Sequence, residues 1–344
     1  MAHRDLSSMS FLFFLMKLMV ICAYIRLKRE RYLMTRNYTY DLLKVIALIC
    51  ILLAHVNPPG VIFQLRNFDV PLMILISVWL SIPGISKDNF SYKEYIIKRV
   101  KRLVVPTWIF LTIYFIIKLL IGSLDSISTI IASYLLIGGI GYVWVIRIYI
   151  FVAILTPIIK KLLDMWGAKK LILVFTCLYF SYEILYLLTN NLKGIVRLFT
   201  EAFIWDFIGY SFIVFLGILT YKNKQKNLIK LSFIFGIIFT VLMICLNFTP
   251  TQNFKYPVRI YYLSYAFFVG ILLFIIIDII IRKKGIKISK IVLFISKNSM
   301  WIYLWHILLL PIINKLFITS QYGFVPRLGL LILLSCIIVI FQNT

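Results

Sequence analysis

The chain has 344 residues, of which 62% are hydrophobic and only 14% are charged, whereas an ordinary soluble domain has about a quarter of its residues charged. Its mean hydropathy is +0.99, and apolar runs of spanning length recur from end to end, which excludes a soluble enzyme and predicts a polytopic membrane protein. The formal net charge of +25 comes from 37 Lys and Arg residues against 12 Asp and Glu residues, and basic cytoplasmic loops explain it without a nucleic-acid partner.

Hydrophobic windows predict an all-α fold, a polytopic transmembrane bundle of about ten core helices plus an extra amino-terminal helix. The predicted spans are 10–25, 41–57, 70–84, 104–122, 143–160, 170–189, 203–220, 229–247, 260–281, 291–314 and 328–341. The first span has Lys17 at its centre, and Met34 would be a natural start. We therefore assign residues 1–33 to an extra hydrophobic segment or a misassigned start, and residues 34–344 to the transmembrane domain.

The breaks between the predicted spans alternate in charge. Those at 26–36, 93–102, 160–170, 221–230 and 282–290 are basic, and those at 57–69, 122–142, 190–202 and 248–259 carry few cations. By the positive-inside rule the basic set is cytoplasmic. This places Arg99 and Arg102 at the cytoplasmic mouth of the bundle and His55 in its outer half. The apolar part of 122–142 is too short to span, which predicts a re-entrant or surface helix on the outer side.

The five cysteines are each isolated inside apolar runs, without the close spacing of metal-ligating pairs. We therefore predict no metal site and interpret the cysteines as small buried apolar residues, namely Cys22, Cys50, Cys177, Cys245 and Cys336.

Two polar residues share one face of the span that begins at Asp41. Lys44 and His55 are eleven residues apart, a step that turns an α-helix through about three turns, so they differ by roughly 20° and lie about 16 Å apart. Ionisable side chains inside membrane spans are costly and mark functional positions. The sequence therefore predicts a polar stripe across half the bilayer.

Five stretches carry a family resemblance: "DLLKVIALICILLAHV", "VPLMILISVWL", "KRVKRLVVPTW", "YVWVIRIYIFVAILTPII" and "ISKNSMWIYLWHILL". In this order, from about residue 36 to residue 314 and beyond, they resemble the acyltransferase-3 family of integral membrane acyltransferases. The stand-alone members, polysaccharide O-acetyltransferases and the intercellular-adhesion O-succinyltransferase type, are the most similar kind. The "SVWL" stretch lacks the glycine that usually follows the serine in the family.

The resemblance implies transfer of an acyl group from cytoplasmic acyl-CoA to a hydroxyl of an extracytoplasmic or lipid-linked glycan. The family's Arg, ten residues, His pattern falls on Lys44 and His55, and its Arg-x-x-Arg pair falls on Arg99 and Arg102. Lys44 keeps the positive charge but lacks the bidentate guanidinium fork. Arg99 and Arg102 share a helical face and can converge on the phosphates of CoA. The alternative is that they are snorkelling topology anchors.

His55 is the best catalytic candidate, because a neutral imidazole can accept the proton of an attacking sugar hydroxyl. The alternative is a histidine that only makes a hydrogen bond at a helix end. The family's late Ser-x-x-x-Tyr-x-x-His stretch falls on Ser299, Tyr303 and His306, and we expect His306 to be a packed core histidine with a hydroxyl partner.

Two further charged residues are uncertain members of the site. Asp41 opens the Lys44 helix, and Arg147 lies inside a span, where an arginine needs a partner or an aqueous cavity. Asp206 and Glu183 are the candidate partners of Arg147.

The sequence therefore predicts a multi-pass bacterial cell-membrane O-acyltransferase with no bound cofactor, and acetyl-CoA as the expected co-substrate. Its other partners would be a cell-surface glycan or lipid-linked oligosaccharide acceptor and the membrane lipids. The alternative is a glycan transporter, flippase or exporter, although no inverted repeat supports it. Succinyl in place of acetyl stays open, and so does the acceptor.

Overall fold

The computed structural model describes residues 37–189, 193–284, 288–317 and 323–343, and these contain helices and no strand. The predicted span 10–25, with Lys17, and the assignment of residues 1–33 lie outside the described residues. The α-helices are α1 Tyr38–Leu53, α2 Gly60–Leu65, α3 Asp69–Ile85, α4 Tyr92–Leu120, α5 Ile127–Tyr134, α6 Trp144–Leu188, α7 Gly194–Phe199, α8 Asp206–Thr220, α9 Gln225–Cys245, α10 Ile260–Lys284, α11 Lys290–Lys297, α12 Ser299–Leu316 and α13 Phe324–Asn343. A π-helical turn, Thr200–Trp205, joins α7 to α8, and a 3₁₀ turn, Thr251–Phe254, precedes α10.

Local sequence signals set several of the helix ends. Ser91, Ser126 and Ser289 precede α4, α5 and α11, and each side chain accepts a hydrogen bond from the backbone N–H three residues later, the usual capping contact. Gly167 interrupts α6 with φ 74°, a value that glycine adopts without steric cost. The 45-residue α6 therefore comprises two predicted spans, 143–160 and 170–189.

The predicted all-α membrane fold is confirmed. Within the described ranges, eight helices are long and apolar enough to cross a membrane. One of the eight is the broken α6, and α1 is a further apolar helix of 16 residues, so each predicted span from residue 41 onward has a helical counterpart. The 122–142 segment holds only the eight-residue α5, too short to span, as predicted. The burial of Cys177 and Cys245 was wrongly predicted, because both are exposed on outward faces of their helices.

Helix α3 packs tightly against α8 although it lacks the glycine expected after Ser77. The small residue is on the partner helix: a Cβ on Gly217 would lie 3.0 Å from Val78 Cγ1. Trp79 Nε1 donates to the Gly217 carbonyl oxygen at 2.9 Å and lies 3.2 Å from Thr220 Oγ1. The close approach is therefore kept, and the same Trp79 ring lies 5.6 Å from the ring of Tyr40 on α1.

Candidate functional site

A cavity of about 260 Å³ lies among the helices that carry the predicted site residues. Its lining comes from α1, α3, α4, α6, α11 and α12, and most of it is apolar. The residues that line it and bear on function are Lys44, Leu48, Ile51, Ser77, Ser81, Tyr95, Arg99, Arg102, Tyr149, Lys297, Ser299 and Tyr303. The structure therefore brings Lys44, Arg99 and Arg102 to one cavity, and His55 does not line it.

Four cations line this cavity at one end. Arg99 and Arg102 are one turn apart near the start of α4, and Lys44 is in the first half of α1. The fourth cation, Lys297, was missed from the sequence. Lys44 Nζ donates to the backbone oxygen of Ser296 at 2.7 Å, so Lys297 is beside Lys44 although they are far apart in the chain.

Arg99 is held in place by neighbours on two helices. Its Nη2 donates to Ser81 Oγ at 2.6 Å, and its Cζ lies 5.1 Å from the centre of the Tyr95 ring. Arg102 is exposed, and no hydrogen bond or ion pair joins it to the described residues. One guanidinium is therefore positioned, and the other is available at the mouth of the cavity.

Asp41 fastens α1 to α11. Ser296 Oγ donates to Asp41 Oδ1 at 2.5 Å, and the same Ser296 accepts from Lys44 through its backbone oxygen. Asp41 is therefore placed at the site's edge, where it helps to fix the helix that carries Lys44.

Two histidines and a tyrosine, none of which lines the cavity, form a group three or four residues along the chain from lining residues. On α1 the lining residues Leu48 and Ile51 are followed one turn later by His55, and on α12 Tyr303 is followed by His306. Tyr142, just before α6, completes the group. The His55 ring centre is 5.1 Å from that of His306 and 5.1 Å from that of Tyr142, and the Tyr142 and His306 rings are 6.1 Å apart.

His306 is fully buried, as expected of a packed core histidine. The prediction of a hydroxyl partner for His306 is wrong, because its Nδ1 contacts the backbone oxygen of Tyr303, one turn before it. The Tyr303 hydroxyl instead donates to the Tyr142 carbonyl oxygen at 2.7 Å, because that oxygen faces it across the helix interface. Ser299 lines the cavity one turn before Tyr303.

A buried charged cluster, formed by Arg66, Asp69 and Lys255, was missed entirely. Arg66 Nη1 is 2.8 Å from Asp69 Oδ2, and Lys255 Nζ is 3.5 Å from Asp69 Oδ1. Their exposed fractions are 4%, 1% and 4%. Burial lowers the pKa of Lys255, an effect that the neighbouring Asp69 carboxylate opposes. The Arg66 and Asp69 spacing of three residues was visible in the sequence, but Lys255 comes from another break in the chain.

Contacts of Arg66 and its neighbours hold the segment that follows His55 against the turn before α10 and against α10 itself. Arg66 Nη2 donates to Gln252 Oε1 at 3.3 Å, and Asn67 Nδ2 donates to Thr251 Oγ1 at 2.9 Å. The Tyr265 hydroxyl donates to the Leu65 oxygen at 2.7 Å. His55 therefore lies at the end of α1, before a loop that these hydrogen bonds hold in place.

Arg147 forms an ion pair with Asp206, the first of its two candidate partners. Its Nη2 is 2.8 Å from Asp206 Oδ2, and its Nη1 donates to the Leu136 oxygen at 2.7 Å. Glu183 pairs with Arg259 instead, at 2.8 Å. Arg147 does not line the cavity, so its buried pair anchors the segment before α6, which carries Tyr142.

The sequence model of the acyltransferase-3 family, described as an acyltransferase domain, matches residues 37–341. A putative acetyltransferase, ORF330, of Acidianus two-tailed virus is 25% identical over 274 residues, which cover 73% of this chain and 75% of the viral protein. The family match begins just before α1 and ends within α13. The chain therefore belongs to the acyltransferase-3 family and is a membrane enzyme that transfers an acyl group.

Proposed function

We propose that the protein moves an acyl group, most simply acetyl, from cytoplasmic acyl-CoA to a hydroxyl of a cell-surface or lipid-linked polysaccharide. The observation that carries the proposal is the cavity, with Lys44, Arg99, Arg102 and Lys297 at one end and His55 beyond the other. Transfer from CoA to a sugar hydroxyl needs a phosphate-binding region, a base and a protected path between them. The cavity is the candidate for that path.

The cationic end suits the phosphates of CoA. Guanidinium groups bind phosphate oxygens in pairs, and a lysine adds a point charge. Arg99 already donates to Ser81, so its fork is oriented before the donor arrives. The apolar lining beyond it accommodates the pantetheine arm and a short acyl group.

His55 supplies the base. The hydroxyl oxygen of the acceptor attacks the thioester carbonyl as its proton passes to the imidazole. The carbon–sulfur bond then breaks, the acyl group remains on the acceptor oxygen, and the CoA thiolate takes the proton from the imidazolium. No metal is required for this sequence of steps.

The proposal is tested by mass spectrometry of surface glycans from cells that carry the wild-type protein or His55→Ala, at equal membrane abundance. We expect a mass increment of an acetyl or succinyl group that depends on the wild-type protein. Unchanged acylation with a fall in exported glycan would instead show that the protein moves glycan across the membrane.

Arg99→Ala is expected to raise the KM for acetyl-CoA by about 10- to 100-fold, because a charge-assisted hydrogen bond contributes about 1.5–3 kcal/mol and each 1.4 kcal/mol is about tenfold. The measurement is steady-state transfer from labelled acetyl-CoA. Lys98→Ala is the matched control, since Lys98 is on the same helix, is 76% exposed and pairs with Glu94. Equal KM values for the two variants would show that Arg99 is only a topology anchor.

A further inference from the structure

His55 and His306 each have a buried ring nitrogen that makes no well-aligned hydrogen bond with the described residues: Nδ1 of His55, although the Ile51 backbone is near its ring, and Nε2 of His306. The two ring centres are 5.1 Å apart, with the rings tilted by 43°. Leaving one buried polar atom unpaired is costly. Two such atoms on neighbouring rings indicate a contact that forms when the site is engaged, since catalytic hydrogen bonds are often long before substrate binds.

The contact of His306 with Tyr303 fixes which nitrogen of His306 can accept. A backbone carbonyl oxygen only accepts, so Nδ1 of His306 carries the hydrogen. A neutral imidazole has one N–H, and Nε2 of His306 is therefore a lone-pair acceptor. Tyr142 is the other ring beside His55. Its backbone oxygen accepts from the Tyr303 hydroxyl, and its own hydroxyl is the alternative acceptor that the His306→Leu variant tests.

We propose that His306 is a positioning residue that accepts the Nδ1–H of His55 and so directs the Nε2 lone pair of His55 toward the acceptor hydroxyl. The inference rests on the proposed function. The hydroxyl proton goes to Nε2 of His55, the oxygen bonds to the acyl carbon, the carbon–sulfur bond breaks, and the leaving thiolate recovers that proton. The Nδ1 hydrogen stays covalently bonded to His55 and hydrogen-bonded to Nε2 of His306 throughout, so the proton count balances.

The proposed contact with His55 also accounts for the position of His306 on α12, one turn after Tyr303. The cavity lining of α1 and that of α12 both end one turn before a histidine. The nearby cluster of Arg66, Asp69 and Lys255 offers no other acceptor for the Nδ1–H of His55. The Arg66 and Lys255 side chains only donate, and the Asp69 carboxylate already pairs with both.

The test uses the full-length protein in detergent, labelled acetyl-CoA and de-O-acylated surface glycan from the producing cells. His306→Leu is expected to lower kcat about 100-fold, within the range of general-base effects, with the KM for acetyl-CoA unchanged. His306→Gln puts an acceptor oxygen near the position of Nε2, so its kcat should be at least about tenfold higher than that of His306→Leu. Trp305→Phe, the control on the same helix, removes only the bond to Gln342 and should keep the wild-type kcat.

A wild-type kcat in His306→Leu, or a glutamine variant as slow as the leucine variant, would overturn the inference. A second measurement covers variants that fold poorly in assay conditions. The sequence has three histidines, so ¹⁵N-histidine spectra of the full-length protein are readily assigned. With CoA bound, we expect the fixed Nδ1–H tautomer of His55 in the wild type and a tautomer mixture in His306→Leu; identical spectra of the two CoA-bound proteins would contradict the inference.

Failure of the proposed function has a different outcome. If the wild-type protein transfers no acyl group from acetyl-CoA, the proposed function fails whatever the histidine variants do. If the wild type transfers the group and His55→Ala does not, while His306→Leu matches the wild type, only the role of His306 fails.

Discussion

His55→Ala is expected to lower kcat for acyl transfer by about 10²- to 10⁴-fold, the usual contribution of a positioned general base. The side chain is at the end of α1, next to His306 and Tyr142 and beyond the apolar lining of the cavity. Removing the imidazole leaves the cationic end intact, so the KM for acetyl-CoA should stay within about twofold. Steady-state transfer to de-O-acylated glycan gives both constants.

His55→Gln is the matched companion variant. Glutamine keeps a polar side chain of similar size at the end of α1 but has no basic nitrogen. We expect the kcat of His55→Gln to be as low as that of His55→Ala at equal membrane abundance. Full activity in His55→Gln would show that the residue only makes a structural hydrogen bond at a helix end, the alternative that the sequence left open.

Asp69→Asn is expected to destabilise the folded protein by about 3–5 kcal/mol, because it leaves buried cations without their counter-charge. Asp69 contacts Arg66 at 2.8 Å and Lys255 at 3.5 Å, and all three side chains are buried. The measurement is the thermal unfolding of the purified protein in detergent, followed by loss of the monodisperse peak.

Lys255→Met provides the control for that prediction. It removes one of two cations and leaves the Arg66 and Asp69 pair intact, so it should lower the midpoint far less than Asp69→Asn, or not at all. Similar losses in both variants would show that packing of the loop, and not its charge balance, stabilises this region.

Much of the fold could be predicted because apolar runs and their breaks are local signals. The break in α6 illustrates this: the basic segment around 160–170 separates two apolar runs, and Gly167 supplies the positive φ that divides the helix there. The Lys44 and His55 stripe was predicted from helical periodicity, but α1 ends at Leu53 and His55 lies in the turn that follows it. The burial of cysteines was not, because a lipid-facing position and a core position have the same apolar composition.

The rest of the site depends on contacts between residues distant in sequence. Lys297 joins the cations because α11 ends beside Lys44, through the bond to Ser296. His306 faces His55 across more than 250 positions, and periodicity within one helix carries no information about its neighbour. The pairing of Arg147 with Asp206 was one of two candidates, and only the packing of α6 on α8 decided between them.

We propose that an acyl group enters at the cationic end of the cavity and leaves on a hydroxyl near His55. The most direct measurement adds acetyl-CoA labelled in its acetyl group to the cytoplasmic face of inside-out membrane vesicles and follows the label into the glycan. We expect base-labile label on the glycan with the wild-type protein and none with His55→Ala. Label that appears equally with both proteins, or glycan that crosses the membrane without any label, would contradict it.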